Sequence, residues 1–334
     1  HLSLDYDDKS VRKAVAQQLR IEEKSIKSCK IFRRSVDARK KDNIYFLTTV
    51  DAELNINEDK VCKKCGNAQI ARKYEYNQMK FGNAPSPIVV GAGPAGLFAA
   101  LILARSGANP ILIERGRDVD RRTADVNRFW TSGKLDITSN VQFGEGGAGT
   151  FSDGKLNSGT KDIRQRKVLE EFVSHGAPDE ILYNAKPHIG TDMLKGTIKN
   201  IRNEIIELGG RVMFETKLVS MAFSDNKLKS ITVETANGDE IIETDNVILA
   251  IGHSARDTFE MLYDLKLPIE AKPFSVGARI EHLRQKVDKA QYGRFAGNKK
   301  LGSANYKLST HLDNGRGVYT FCMCPGAVSY THLR

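Results

Sequence analysis

The stretch from Pro87 to Glu114 constrains this chain more than any other. Pro87-Ile88-Val89-Val90 is a short continuous apolar segment, and Gly91-Ala92-Gly93-Pro94-Ala95-Gly96 is a glycine turn. Ala100, Leu103 and Gly107 then follow Gly96 at spacings 4, 7 and 11, which gives a small-and-apolar helix face ending at a glycine cap. Pro110 to Glu114 is a second apolar segment closed by an acid; a proline is tolerated at a strand's first position. Strand, turn, helix and strand make the βαβ unit that binds dinucleotides. Gly91 permits the tight turn, Gly93 lets backbone approach a pyrophosphate, and Gly96 lets helix pack on strand. Pro94 and Ala95 open the helix, whose N–H groups and dipole favour the phosphates. Glu114 lies 18 residues after Gly96, where a carboxylate accepts from a ribose diol, and Arg115 follows it. An acid there disfavours a 2′-phosphate, leaving FAD or NAD.

A second glycine pattern, Gly144-Glu145-Gly146-Gly147-Ala148-Gly149, is followed by Thr150-Phe151-Ser152-Asp153-Gly154-Lys155. Residues of this kind oppose a helix, so the segment reads as a loop able to lie against a large flat ligand. Its backbone amides can form a concave site for an anion or ring edge. Cofactor contacts are expected at Gly144, Gly146, Gly147, Ala148, Gly149, Thr150, Ser152, Asp153, Gly154 and Lys155. Lys155 is also a candidate for stabilising negative charge on a reduced flavin ring.

After a helix over about 192–208, alternating segments at 211–215, 218–223, 228–234 and 240–243 read as a β-meander, with turns at Ser224-Asp225-Asn226 and Asn237-Gly238-Asp239. The meander feeds a fully apolar strand, Val247 to Ile251. Ala250 and Gly252 at its end are expected to pass near the dinucleotide.

Four segments share a further likeness. Val141 to Leu156, Lys186-Pro187-His188-Ile189-Gly190-Thr191-Asp192, Phe274 to His282 and Phe321-Cys322-Met323-Cys324-Pro325-Gly326 together resemble a family of bacterial FAD-dependent dehydrogenases. The resemblance runs from about residue 25 to 326. It implies a single-FAD flavoprotein of the glutathione-reductase-like superfamily with a small N-terminal domain, and says nothing of substrate. It also implies a longer chain. The last six residues, Ser329 to Arg334, resemble translated sequencing-adapter read-through, so a truncated product is expected.

The first 80 residues read as a separate unit. Ser10 is the expected cap of a helix carrying Val11, Val15 and Leu19. Strands are expected at 2–4, 28–36, 43–53 and 70–76, with a second helix near 58–67, giving the βαββαβ order of a ferredoxin-like fold. The expected architecture is thus α/β: a ferredoxin-like α+β domain (1–82), a Rossmann-like FAD-binding domain with β-meander (83–265), a partial mixed substrate domain (266–326) and a non-native tail (327–334).

The first 80 residues carry 18 Lys and Arg against 12 Asp and Glu, six of the chain's ten net positive charges. A basic domain of this kind can bind RNA, but the strands lack the paired aromatics that stack bases, so no nucleic-acid partner is expected. No stretch approaches the roughly 18 uninterrupted apolar residues of a membrane span. Five cysteines argue against a disulfide framework, and a cytoplasmic location is expected. Cys62 and Cys65 lack a second pair to complete a zinc site, so no metal is expected. Cys322 and Cys324 lie on one face of an expected strand over 318–324, as buried small residues or, if the strand ends at Pro325, as a redox pair.

Acid–base candidates are His188, His253 and His282, with Arg279 placed to hold an anionic group. The sequence reading is an FAD-dependent oxidoreductase moving a hydride between a small organic substrate, or transiently bound NAD(P)H, and flavin. The alternatives are a flavoprotein acting on tRNA and a non-catalytic FAD-stabilised binding protein.

Overall fold

The computed structural model describes residues 1–325 apart from 73, 74, 82–84, 153, 159, 161 and 322. Helix α1 (Asp8–Leu19) comes first. Its cap is Asp7, which accepts from the Ser10 amide at 2.8 Å, while Ser10, the expected cap, completes a capping box from the third helical position. Both residues suit a cap, and the earlier one takes it. Strands β1 (Ile26–Asp37) and β2 (Tyr45–Leu54) form an antiparallel hairpin, with Lys30 opposite Asp51 and Val36 opposite Phe46. Helix α2 (Glu58–Lys64) follows and is a turn shorter than expected.

The βαβ unit comprises β3 (Ile88–Val90), α3 (Pro94–Arg105) and β4 (Ile111–Ile113). Helices α4 (Val119–Ser132), α5 (Arg164–Ser174) and α6 (Thr191–Glu207) lead to β5 (Arg211–Met213). Strands β6 (Lys217–Ser224), β7 (Lys227–Thr235) and β8 (Gly238–Glu243) are the meander, and β9 (Val247–Leu249) returns from it. Helices α7 (Arg256–Asp264) and α8 (Arg284–Tyr292) and the short hairpin β10 (Ser309–His311) and β11 (Gly317–Tyr319) follow.

The chain divides into two compact units. The first joins the described residues of His1–Tyr74, Asp179–Pro187 and Ser275–Tyr330. The second holds those of Glu75–Pro178 and His188–Phe274. This grouping cuts the chain differently from boundaries at 82 and 265. The reason lies in the first unit's core, where Val11, Val15, Ile26 and Phe46 are completed by Tyr292, Leu301 and Ala304. A hairpin and two short helices bury too little apolar surface alone. The four strands of a ferredoxin-like sheet are not formed: Leu2 makes a single antiparallel bridge to Phe46, and 70–76 has no strand among its described residues. Ile70 is half exposed, so that segment has no apolar face to bury.

In the second unit, four parallel strands run in the order β5-β4-β3-β9, with Ile88 paired to both Ile111 and Val247. Arg211–Met213, expected to open the meander, is instead an edge of this sheet, because it follows helix α6 and a strand-helix-strand crossover returns parallel. The meander is the three-stranded order β6-β7-β8. Its Leu218, Ile231 and Val233 pack with Ile88, Val90, Ile111 and Ile113 in one core. Strand β9 stops at Leu249 and forms the opposite edge, which leaves Ile248 and Leu249 partly exposed.

Candidate cofactor site

The glycine turn after β3 is built by three different constraints. Gly91 has φ +100°, and a Cβ there would stand 2.6 Å from the Ala250 carbonyl oxygen at the end of β9. A Cβ on Gly96 would stand 1.8 Å from the Gly91 oxygen, so the helix sits on the turn with no room for a methyl group. Gly93 is different. Its φ of −71° suits any residue, and a Cβ would find its nearest neighbour, Gly147 Cα, at 3.9 Å. Nothing in the chain's own packing requires glycine at 93. The residue caps α3 without a side-chain acceptor, so the first-turn amides have no capping side chain.

The second glycine pattern forms a loop and one short 3-10 turn (Ala148–Phe151), as its composition predicts. It lies against the first: the Gly146 amide donates to the Ala92 oxygen at 2.8 Å. Glu114 fastens the two together. One carboxylate oxygen accepts from the Gly116 and Gly144 amides at 3.0 and 2.9 Å, and the other accepts from the Ala92 amide at 2.7 Å. Sequence reasoning gave this carboxylate to a ribose. Here it is buried and ties three turns, with about one of its four lone-pair positions left for a hydroxyl.

Two residues that sequence reasoning missed hold the loop from behind. Arg122 of α4 is fully buried and donates to the carbonyls of Asn140 (2.8 Å), Val141 (2.9 Å) and Glu145. Burial pulls its guanidinium down to about 10. Glu145 is equally buried; it accepts from the Val119 amide at 2.7 Å and from Arg202 at 3.1 Å, and burial pushes its carboxyl up. The available signal was an arginine on the apolar stripe Val119, Arg122, Val126.

These pieces enclose a cavity of about 430 Å³, within the range of ligand sites. Of the expected contacts, Gly91, Gly93, Pro94 and Ala95 form one wall, Glu114 and Arg115 another, Gly144, Gly147 and Ala148 a third, and Ala250 and Gly252 a fourth. His253 also lines it. The others do not. Gly96 packs under the turn. Gly146 and Thr150 are buried in the loop's interior, and Gly149 is exposed. Ser152 donates to the Gly149 oxygen at 2.7 Å and accepts from the Gly154 amide at 3.1 Å, so these residues brace the loop. Lys155 forms a backbone bridge with His188, away from the cavity lining. Asp153 lies outside the described residues.

The remaining candidates fall elsewhere. His282 and Arg279 belong to the first unit and are exposed; His282 Nε2 lies 2.8 Å from the Tyr306 hydroxyl. The strand expected over 318–324 stops at Tyr319, and Cys324 is exposed rather than buried, because Pro325 and the polar turn at 313–316 leave β11 only three residues to pair. Cys322 and the 327–334 tail lie outside the described residues. Among the described residues no cluster of metal-ligating side chains occurs, and no helix is long and apolar enough to cross a membrane.

The residues fit a dinucleotide: uncapped amides converge where Gly93 leaves space that the chain itself does not use. Comparison with known families agrees. Residues 86–125 match an FAD binding domain, and 273–329 match a family described as FAD-dependent protein, C-terminal domain-like. The cofactor is FAD. Residues 1–53 match a domain of unknown function. An uncharacterized protein of Clostridium beijerinckii is 46% identical over 334 residues; the match covers 98% of this chain and 62% of that protein. The chain therefore spans under two thirds of that relative's length. Partial likenesses to solved structures are also found. THI4 of Thermovibrio ammonificans shares 16% identity with a TM-score of 0.37, covering 55% of this chain and 64% of that one. A flavocytochrome c3 fumarate reductase shares 18% with a TM-score of 0.35, covering 54% and 35%.

Proposed function

We propose that the protein is an FAD-dependent oxidoreductase of the dehydrogenase kind, acting on a small organic substrate or accepting a hydride from NAD(P)H. The observation that carries this reading is the uncapped turn at Gly93, lying against Gly147 on a cavity that Glu114 and the end of β9 also wall. FAD, when bound, supplies the hydride chemistry, and the protein supplies orientation and local charge. The first turn of α3 holds the pyrophosphate by its amides and dipole. Glu114 keeps the two glycine segments in register and offers its spare lone pair to a ribose hydroxyl. The loop at 144–149 excludes water from one side of the site. His253, a few residues after β9, lines the cavity and is the proposed group to hold or deliver a proton.

The first unit, basic and joined to the 275–325 segment, is the proposed site of substrate selection, and a cytoplasmic location belongs to the same reading. The test is direct. The protein is purified, its visible spectrum recorded, and NADH, NADPH or candidate organic donors are added without oxygen. Bleaching of the flavin band by any donor supports an oxidoreductase; a flavin that no donor reduces and that dithionite alone bleaches favours a binding role.

A further inference from the structure

The order of ligand groups along the cavity follows from its ends. Pyrophosphate belongs at Gly93 and ribose at Glu114, so the base lies beyond Glu114. There the wall consists of Arg115, Phe143, Lys217 and Thr258. The Arg115 guanidinium lies 4.7 Å from the centre of the Phe143 ring. Its two terminal nitrogens grip Asp257 at 2.9 and 3.2 Å, and one of them also donates to the Thr258 hydroxyl at 2.9 Å. Lys217 Nζ reaches the same carboxylate at 2.8 Å. Burial pushes the Asp257 carboxyl up, but the hydrogen bonds from Arg115 and Lys217 outweigh it and hold the group well below the ordinary carboxylate range.

An arginine has considerable rotamer freedom, and a bidentate carboxylate removes it while fixing the plane of the guanidinium. Arg115 is therefore presented as a rigid flat cation on an aromatic ring, and little of its side chain is exposed. A flat cation of this kind attracts the face of an electron-rich ring.

We propose that Arg115 and Phe143 form a fixed stacking surface for the adenine of FAD, and that Asp257 is the positioning residue that holds this surface flat. This rests on FAD being the cofactor. It makes the adenosine half, and not the flavin half, the part of the ligand that α7 senses.

The test titrates the full chain, stripped of flavin, with FAD and separately with ADP, for the wild type, Asp257→Asn and Arg115→Lys. Losing a stacked cation on an adenine is expected to weaken FAD and ADP alike, by about tenfold. Arg115→Lys keeps the charge but loses the plane and the fork, so it should produce the same joint loss. It answers the question even if Asp257→Asn does not fold. Unchanged FAD affinity in a folded variant overturns the proposal, and so does a loss for FAD with none for ADP, which would place the damage elsewhere in the site. A wild-type protein that binds neither ligand removes the cofactor reading itself, and this inference with it.

Discussion

Replacing Gly93 and Gly96 separately by alanine separates ligand space from packing space. At Gly96 the added Cβ would lie 1.8 Å from the Gly91 oxygen. Ordinary C···O contacts are about 3.3 Å, so helix α3 would have to rise by about 1.5 Å from a turn it covers. Overpacking of this kind costs about 3 kcal/mol. For a unit of this size that lowers Tm by roughly 6–12 °C. At Gly93 the nearest atom is 3.9 Å away and φ is −71°, so alanine is accommodated. Restricting the unfolded chain then stabilises the flavin-free protein by about 0.5 kcal/mol. The same methyl group sits where the pyrophosphate must meet the backbone. Each charge-assisted hydrogen bond lost there is worth about 1.5–3 kcal/mol, a ten- to hundredfold loss of FAD affinity or more. Thermal unfolding of flavin-stripped protein, followed by circular dichroism, and the flavin-to-protein ratio after gel filtration give both quantities. Gly93→Ala should be colourless and slightly more stable than the stripped wild type. A yellow, stoichiometric Gly93→Ala protein would refute the placement of the pyrophosphate. A Gly96→Ala protein with unchanged Tm would refute the packing argument.

Three further outcomes follow from the same site. Glu114→Gln replaces one acceptor oxygen by an amide facing backbone donors, so the flavin-free protein should lose about 1–3 kcal/mol in denaturant unfolding; an unchanged midpoint would mean that the three turns do not depend on the carboxylate. Because Asp257 is held below its ordinary value in the folded chain, its contribution to stability is present above the unfolded pKa of about 3.9 and is lost as pH falls from there through the lower folded value. The difference in denaturant midpoint between wild type and Asp257→Asn should therefore be level from about pH 8 to about pH 5 and shrink below about pH 4, and a change centred near pH 6 would point to a histidine instead. The glycine loop at 144–149 is followed by a 3-10 turn and not by a dinucleotide-binding helix, so NADH should bind the FAD-loaded protein weakly; submicromolar affinity by calorimetry would contradict this.

The βαβ unit was legible because its evidence is local. Three apolar residues, a glycine turn and an acid fall within 28 positions, and each constraint acts between near neighbours. The glycine loop was legible as a loop for the same reason. The roles of its residues were not, since Gly146, Thr150 and Ser152 differ in which way they face, and composition does not encode direction. Glu114 lines the cavity, but the sequence offered it one partner, while its Gly144 contact lies 30 residues away and leaves no periodic trace. Arg122 and Glu145 were missed because a buried charge is recognisable by its surroundings alone. The first unit was misread most. Its strands at 26–37 and 45–54 were expected nearly to the residue, but part of the packing of their inner face comes from beyond residue 280.

That last arrangement has a consequence during synthesis. Ile26 and Phe46 leave the ribosome early, yet Tyr292, Leu301 and Ala304, which close their core, appear about 250 residues later. At translation rates of about 5–20 residues per second, the hairpin waits roughly 10–50 s with part of its apolar face uncovered. The nucleotide-binding sheet is complete well before then, because its last strand is β9 at Val247–Leu249. The nascent chain thus carries a complete nucleotide-binding sheet while the core of the first unit is still unfinished. Whatever shields that hairpin face in the interval, a chaperone or the chain's own collapse, acts on a chain whose parallel sheet is already complete.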